Sequence, residues 1–328
     1  MTTTPAPLAV AVALGFFACA PTIPKEADSG PAATSTTETV DCDVVLEETT
    51  PFDGQTDTYW RDPFTFSFSE PDPTATVVFD PSGTATWDDS ETTLTFTPAA
   101  PLAPNTDYTV GIDFCRSSPE LSFRTSELGS PITDPASLVG RTYAVDLSAG
   151  RFVEGAGIAE PLSAFFNRSV LFQVTHLDAT GLDLRVAVSG TPTDPAGQDQ
   201  CFATIDMVDL DPSEAPFFAF DLDDFVLGAW EGSLALAGFS MEGTVAPDGT
   251  YVGGVQYSVV VPVSQLGAVF GNDDVAENCA LIEAQGEVCE TCPDFSDAAC
   301  VTISADRITA LSLDADLTEV VVPTPDCG

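Results

Sequence analysis

Strict two-residue alternation in the first half of the chain limits it to β structure. Residues 64–69, FTFSFS, put Phe64, Phe66 and Phe68 on one side and Thr65, Ser67 and Ser69 on the other. A strand sends successive side chains to opposite faces, whereas a helical period would scatter the same phenylalanines. The pattern recurs with Leu94 and Phe96 in TLTFTP, with Tyr108, Val110, Ile112 and Phe114 in YTVGIDF, and with Leu121 and Phe123 in LSFRT. Turn-forming EPDPT (70–74), DPSG (80–83) and PAAPLAPNTD (98–107) separate these runs. About seven short strands with one apolar face each predict a β-sandwich over residues 40–126.

Within this region, FTFSFSEPDPTATVVF, TLTFTPAAPLAPNTDYTVGI and LSFRTSEL carry an F-S-E-P stretch, a T-P-x-x-x-L-x-x-x-T-x-Y-x-V stretch and a closing F-x-T strand. On these motifs residues 40–126 resemble the bacterial Ig-like domain of the S-layer type. The segment between Phe114 and Leu121 is shorter than the loop that family often has there. The resemblance implies a spacer or adhesive module without catalysis, and it names no ligand.

SELGSPITDP (126–135) reads as a turn-rich connection, giving a linker over 127–136 and a second domain over 137–328. Residues 170–190 predict a hairpin in which Val170, Phe172, Val174 and His176 answer Leu182, Leu184, Val186 and Val188. A second hairpin over 239–263 turns at Pro247-Asp248-Gly249, and VTISADRITALSL (301–313) is again strand-like. NDDVAENCALIEAQG (272–286) is expected to form a helix, with Asn272 as N-cap, Gly286 as stop, and Val275, Cys279 and Ile282 on one face. The fold class is therefore all-β: an Ig-like sandwich followed by a mostly β domain, sandwich or open barrel, of about eight to ten strands, with one helix and disulfides.

The apolar run LAVAVALGFFA (8–18) is too short for a bilayer span, which takes about 20 residues, and suits a signal-peptide core over 1–18. Phe16-Phe17-Ala18-Cys19 resembles a bacterial lipobox, although Phe16 replaces the usual aliphatic residue and MTTTPAP lacks basic charge. That resemblance implies export and acylation of Cys19, anchoring the protein in an outer membrane or at the cell surface. Residues 19–39, rich in Pro, Ala, Ser and Thr, read as a disordered tether.

With Cys19 acylated, eight of the nine cysteines remain for disulfides: Cys42, Cys115, Cys201, Cys279, Cys289, Cys292, Cys300 and Cys327. Cys42 and Cys115 share the first domain and are expected to pair, with a bulge or strand end near Cys115, which is out of phase with Phe114. The other six leave fifteen connectivities open. CETC (289–292) could serve zinc or redox chemistry, but export and the following Pro293 favour structural disulfides.

Fifty-one acidic residues against nine basic ones give a net charge of −42. Such a chain repels nucleic acid. Two readings of the charge stand side by side, a solvated surface suited to saline surroundings and a set of divalent-cation sites. Asp209, Asp211, Asp221, Asp223 and Asp224 are the calcium candidates, although neither of their clusters has EF-hand spacing.

A single histidine, His176, on the apolar side of a predicted strand, is expected to be a core residue, and no P-loop, glycine fingerprint or two-histidine zinc motif is present in the sequence. No cofactor is called for. The leading expectation is a non-catalytic, lipid-anchored envelope protein whose partners are the membrane and an envelope protein or glycan. The alternatives are a carbohydrate-binding protein or carboxylate-dependent glycan hydrolase using Trp60, Trp87 or Trp230, and a carrier enclosing a lipid. In the carrier, PFFAFDLDDFVLGAW (216–230) would line the pocket of a closed barrel; otherwise it fills a core.

Overall fold

The computed structural model describes residues 43–158, 168–178, 180–191, 194–223, 225–229, 232–293 and 299–321. Cys19, Cys42, Asp224, Trp230 and Cys327, and with them the signal, the tether and the proposed partner of Cys115, lie outside these residues.

The alternating segments form a two-sheet sandwich. One sheet has the order β1 (Leu46–Thr50), β3 (Phe64–Phe68), β6 (Thr93–Pro98), β5 (Gly83–Trp87). The other runs β2 (Gln55–Thr58), β8 (Glu120–Thr125), β7 (Asp107–Asp113), β4 (Thr76–Val78), with β2 parallel to β8. Phe64, Phe66, Phe68, Leu94, Phe96, Val110, Ile112 and Phe123 fill the space between them. Phe64 meets Phe79 and Phe123 edge-on at centroid distances of 5.0 and 5.2 Å. Asp72 fastens the EPDPT turn by accepting from Thr74 N (3.1 Å) and from Cys115 N (2.9 Å). β7 has ended by then, and Cys115 sits at φ 53°, so its sulfur leaves the inward parity of Phe114.

The second half holds twelve strands among the described residues. Ten of them form one sheet, with path β13 (Asp194–Gln198), β12 (Leu182–Thr191), β11 (Ser169–Leu177), β9 (Thr142–Asp146), β20 (Cys300–Leu313), β19 (Tyr251–Pro262), β18 (Gly238–Val245), β15 (Phe217–Leu222). β14 (Ile205–Leu210) also pairs with β12, and β10 (Arg151–Glu154) with β20. The sheet curls around a single apolar core, so that Phe172 on β11 reaches Phe218 at the far edge, 5.4 Å between rings. It is an open barrel. Among the described residues, no ladder joins the two ends. A separate hairpin, β16 (Phe225–Ala229) with β17 (Gly232–Leu236), adds Phe225, Leu234 and Leu236 to that core.

Both predicted hairpins are present, in the registers Phe172↔Val186 and Phe239↔Val259. The second turns where expected, with Asp248 Oδ1 accepting from Thr250 N (2.9 Å). His176 is a correction. The β11–β12 register shifts between Val174 and His176, which turns the imidazole out of the core. Its side chain is 53% exposed, with Nε2 3.2 Å from Asp178 Oδ2.

A short α1 (Gly267–Phe270) precedes α2 (Val275–Ala284). The cap of α2 is also corrected by two residues: Asp274, not Asn272, accepts from Ala276 N and Glu277 N, while Asn272 Oδ1 accepts from Asp274 N (2.8 Å). Ile282 is buried, Val275 and Cys279 pack beside it, and Gly286 follows the helix at φ 89°. Disulfides Cys279–Cys289 and Cys292–Cys300 join α2 to the following loop and that loop to β20. Cys115 and Cys201 are disulfide-bonded as well.

Three neighbouring strands break register at one level. β18 shifts between Glu242 and Thr244, and β19 and β20 between Val252 and Tyr257. Buried positions accordingly switch parity from Val252 to Val255 and from Ala305 to Ile308, with Gly254 and Arg307 both at φ 60°. This bent corner receives the sandwich. A Cβ on Gly254 would lie 2.3 Å from the Tyr59 ring, and one on Gly253 would lie 2.4 Å from Leu128. Thr244, fully buried, shares its single hydroxyl with Tyr59 Oη (2.7 Å) and Trp60 Nε1 (3.1 Å). The guanidinium of Arg61 stacks on Phe217, 3.5 Å from the ring centre, and pairs with Glu214 at 2.6 Å. Residues 127–136 are packed against the second sheet, with Leu128 buried and Thr133 N donating to Pro247 O (2.7 Å).

Gly254→Ala therefore meets both a left-handed backbone and an aromatic ring. Denaturant unfolding should show a loss of about 2–4 kcal/mol, against about 1–2 kcal/mol for Gly140→Ala, where the backbone is also left-handed but nothing lies within 4 Å.

Candidate functional site

The junction leaves an open groove of about 820 Å³ beside the bent corner. Its walls come from the β1–β2 turn and the Tyr59–Pro63 segment on one side, and from β10, β19 and β20 on the other. A second hollow of about 390 Å³ shares Val153, Gln256 and Asp306 with it and continues across the outer sheet face.

Three arginines line the groove, in a chain with nine basic residues. Arg61 is engaged by Glu214 and Phe217, and Arg151 grips Asp306 through Nε (3.0 Å) and Nη2 (2.5 Å). Arg307 differs. Among the described residues it makes no hydrogen bond or ion pair, whereas the other described arginines are held by carboxylates, carbonyls or other partners. The bulge holds it exposed at the groove edge.

Asp62 lies inside the same groove, half-buried, and its carboxylate receives no hydrogen bond from any described residue. Desolvation pushes it up from 3.8 to about 6, opposed chiefly by the positive charge of Arg307 and then, with the sign reversed again, reinforced by Asp306. Arg151 lowers it slightly. Neither residue had a signal in the sequence, because 245 positions separate them and nothing local marks either as exceptional.

The rim carries Phe52, which is 60% exposed and the only exposed phenylalanine among the described residues. Its backbone N–H is tied to Gln55 Oε1 (3.1 Å), which fixes the turn. Thr50, Thr65 and Thr95 face each other in register across β1, β3 and β6 and line the groove floor.

The sequence-derived candidates fall elsewhere. Trp60 is an interdomain contact, and Trp87 packs on Phe68 at 5.6 Å. Asp209 offers its backbone N–H to Asp183, and Asp211 closes a turn on Ser213 N (2.8 Å). Asp221 and Asp223 are exposed. Among the described residues no three His, Cys, Asp or Glu side chains gather closely enough to hold a metal. The aromatic run at 216–230 fills the barrel core through Phe218, Phe220 and Phe225. The apolar crevice among Phe172, Phe218 and Leu184 has only about 40 Å³ of free space, well short of the roughly 300 Å³ at which ligand pockets begin.

A family model described as a bacterial Ig-like domain matches residues 41–114. This segment is thus Ig-like by sequence as well as by fold. No curated protein matches the chain. Among solved structures, an L,D-transpeptidase from Mycobacterium smegmatis is similar at 15% identity and a TM-score of 0.23, over 47% of this chain and 83% of that one. The S-layer protein SbsC is similar at 10% identity and a TM-score of 0.20, over 84% of this chain and 53% of that one. A structure of SbsC domains 1–6 gives 12% identity and a TM-score of 0.19, over 86% of this chain and 55% of that one. The chain spans about half the length of the S-layer structures. Overlaps at such TM-scores carry no argument about chemistry.

The raised Asp62 pKa sets a sign for stability. The folded state binds the Asp62 proton more tightly than the unfolded chain, so this group favours folding below pH 3.8 and that contribution is lost as pH rises to about 6. Asp62→Asn, a neutral isostere, should stabilise the protein by about 1–2 kcal/mol at pH 7–8, allowing for screening in an open groove. The gain should vanish near pH 4, as read from denaturant midpoints across the range.

Proposed function

We propose that the chain is an exported, lipid-anchored cell-envelope protein in which the Ig-like sandwich holds the β domain, and the groove between them, as a non-catalytic binding surface. The observation that carries this reading is the Tyr59-Trp60-Arg61 lock. Two tandem domains on a free linker would move independently, whereas here buried hydrogen bonds and cation–π stacking set one against the other. A preformed groove at a rigid junction suits recognition, since little ordering entropy is lost on binding. The Ig-like match to residues 41–114 supports a cell-surface setting, and the disulfides Cys279–Cys289 and Cys292–Cys300 suit an oxidising compartment. Cys19, in its lipobox-like context, supplies the anchor.

Fractionation with intact-mass analysis tests the anchor. The parent protein should partition with membranes and carry acyl mass on Cys19, and Cys19→Ser should move to the soluble fraction with its groove unaltered. A membrane-extracted parent with an unmodified amino terminus would overturn the anchor.

A further inference from the structure

Arg307 and Asp62 are an unusual pair for this molecule. In a chain with 51 acidic residues an unengaged guanidinium is out of place, and a half-buried carboxylate without a donor costs stability. The two nevertheless face one groove, Arg307 is the largest charged influence on the Asp62 carboxylate, and they are not bonded to one another. An ionised carboxylate only accepts hydrogen bonds and a guanidinium only donates them. Neighbouring hydroxyls of one sugar ring satisfy both together, one donating to the acid and the next accepting from the arginine. Phe52, left exposed at the rim, offers a flat apolar face of the kind that covers the C–H side of a pyranose. Gln55, Gln256 and the Thr65 and Thr95 hydroxyls add neutral donors and acceptors along the floor.

Charge selects the ligand class. A chain at −42 repels polyanions and would draw polycations to almost any part of its surface. The groove is the place where three arginines offset Glu48, Asp57, Asp62 and Asp306, so a neutral ligand meets little net field there. The groove of about 820 Å³ and the adjoining hollow of about 390 Å³ together run longer than one ring needs.

We propose that this groove binds a neutral oligosaccharide, with Asp62 and Arg307 holding adjacent hydroxyls of one sugar residue and Phe52 stacking on its face. The proposal rests on the reading of the junction as a non-catalytic binding surface and gives that surface its ligand class.

Calorimetric titration of the full-length protein with neutral tetrasaccharides of glucose, xylose and N-acetylglucosamine tests it, with tetralysine and a tetrauronate as charged comparators. At least one neutral sugar should bind with Kd below about 1 mM. Its affinity should change less than about twofold between roughly 0.1 and 1 M salt. Asp62→Asn and Arg307→Met should each weaken it by about tenfold or more, and Phe52→Ala by a similar factor. Arg124→Ala, which removes the exposed pair with Asp107 outside the groove, should leave it unchanged. Asp62→Asn keeps the side-chain shape, and a single cooperative denaturant transition with a midpoint no lower than the parent's certifies its fold. Failure of every neutral sugar to bind at about 10 mM, parent-like binding by Asp62→Asn and Arg307→Met, or binding of only tetralysine or the tetrauronate overturns the site. Mass analysis of the recovered sugar separates the two proposals. An intact sugar upholds both, and a shortened one overturns the non-catalytic reading while leaving the site. Absence of binding overturns the site and leaves the membrane-anchor result standing.

Discussion

The arrangement of the molecule depends on the absence of two β-carbons. Gly253 and Gly254 let the bent corner of the large sheet accept Leu128 and the Tyr59 ring at distances no side chain would permit. Once Tyr59 is seated, Trp60 falls against the Thr244 hydroxyl and Arg61 lies over Phe217. Three consecutive residues of the sandwich thereby become part of the barrel's surface. The bulges in β18, β19 and β20 provide the concavity, and the groove is the part of it that Tyr59 leaves unfilled. Architecture and site thus share one cause: a local break in strand pairing gives both the contact that joins the two halves and the space beside it.

That space holds its polar groups at a cost to stability. A carboxylate withdrawn from water and left without a donor opposes folding at neutral pH, and an arginine at φ 60° occupies a conformation that favours glycine. Elsewhere the chain resolves such conflicts. Asp206 pairs with Arg185 through both oxygens, Asp199 with Arg168, and Asp72 is surrounded by donors. The contrast between those satisfied acids and Asp62 is the physical ground for assigning the groove a role, because strain and incomplete pairing concentrate where a protein meets something else.

The sandwich was legible in the sequence because its signal is local. Phe64, Phe66 and Phe68 declare an inward face without reference to any other part of the chain, and the turn residues bound each run. The two hairpins of the second domain were legible for the same reason. His176 failed because alternation assumes unbroken register, and a bulge beyond Val174 reverses parity without a marker in the neighbouring residues. The bent corner did leave a trace: the inward residues skip from Val252 to Val255 and from Ala305 to Ile308, a slip in period readable in hindsight as a bulge. Asn272 and Asp274 both suit a cap, and only geometry separates them. The groove was not legible at all. Its two key residues acquire meaning through a fold that brings position 62 to position 307, and 51 acids give a reader no reason to select one.

The two fully described disulfides join successive cysteines, first to second and third to fourth, across spans of 10 and 8 residues. Each bond closes a short loop, so its two thiols lie close together even in the unfolded chain. Cys201 is also disulfide-bonded but to none of these four, so its partner must be brought to it by the rest of the fold. The stretch from Cys279 to Cys300 is thus stapled by bonds local to itself, while the cross-link at Cys201 depends on parts of the chain further away.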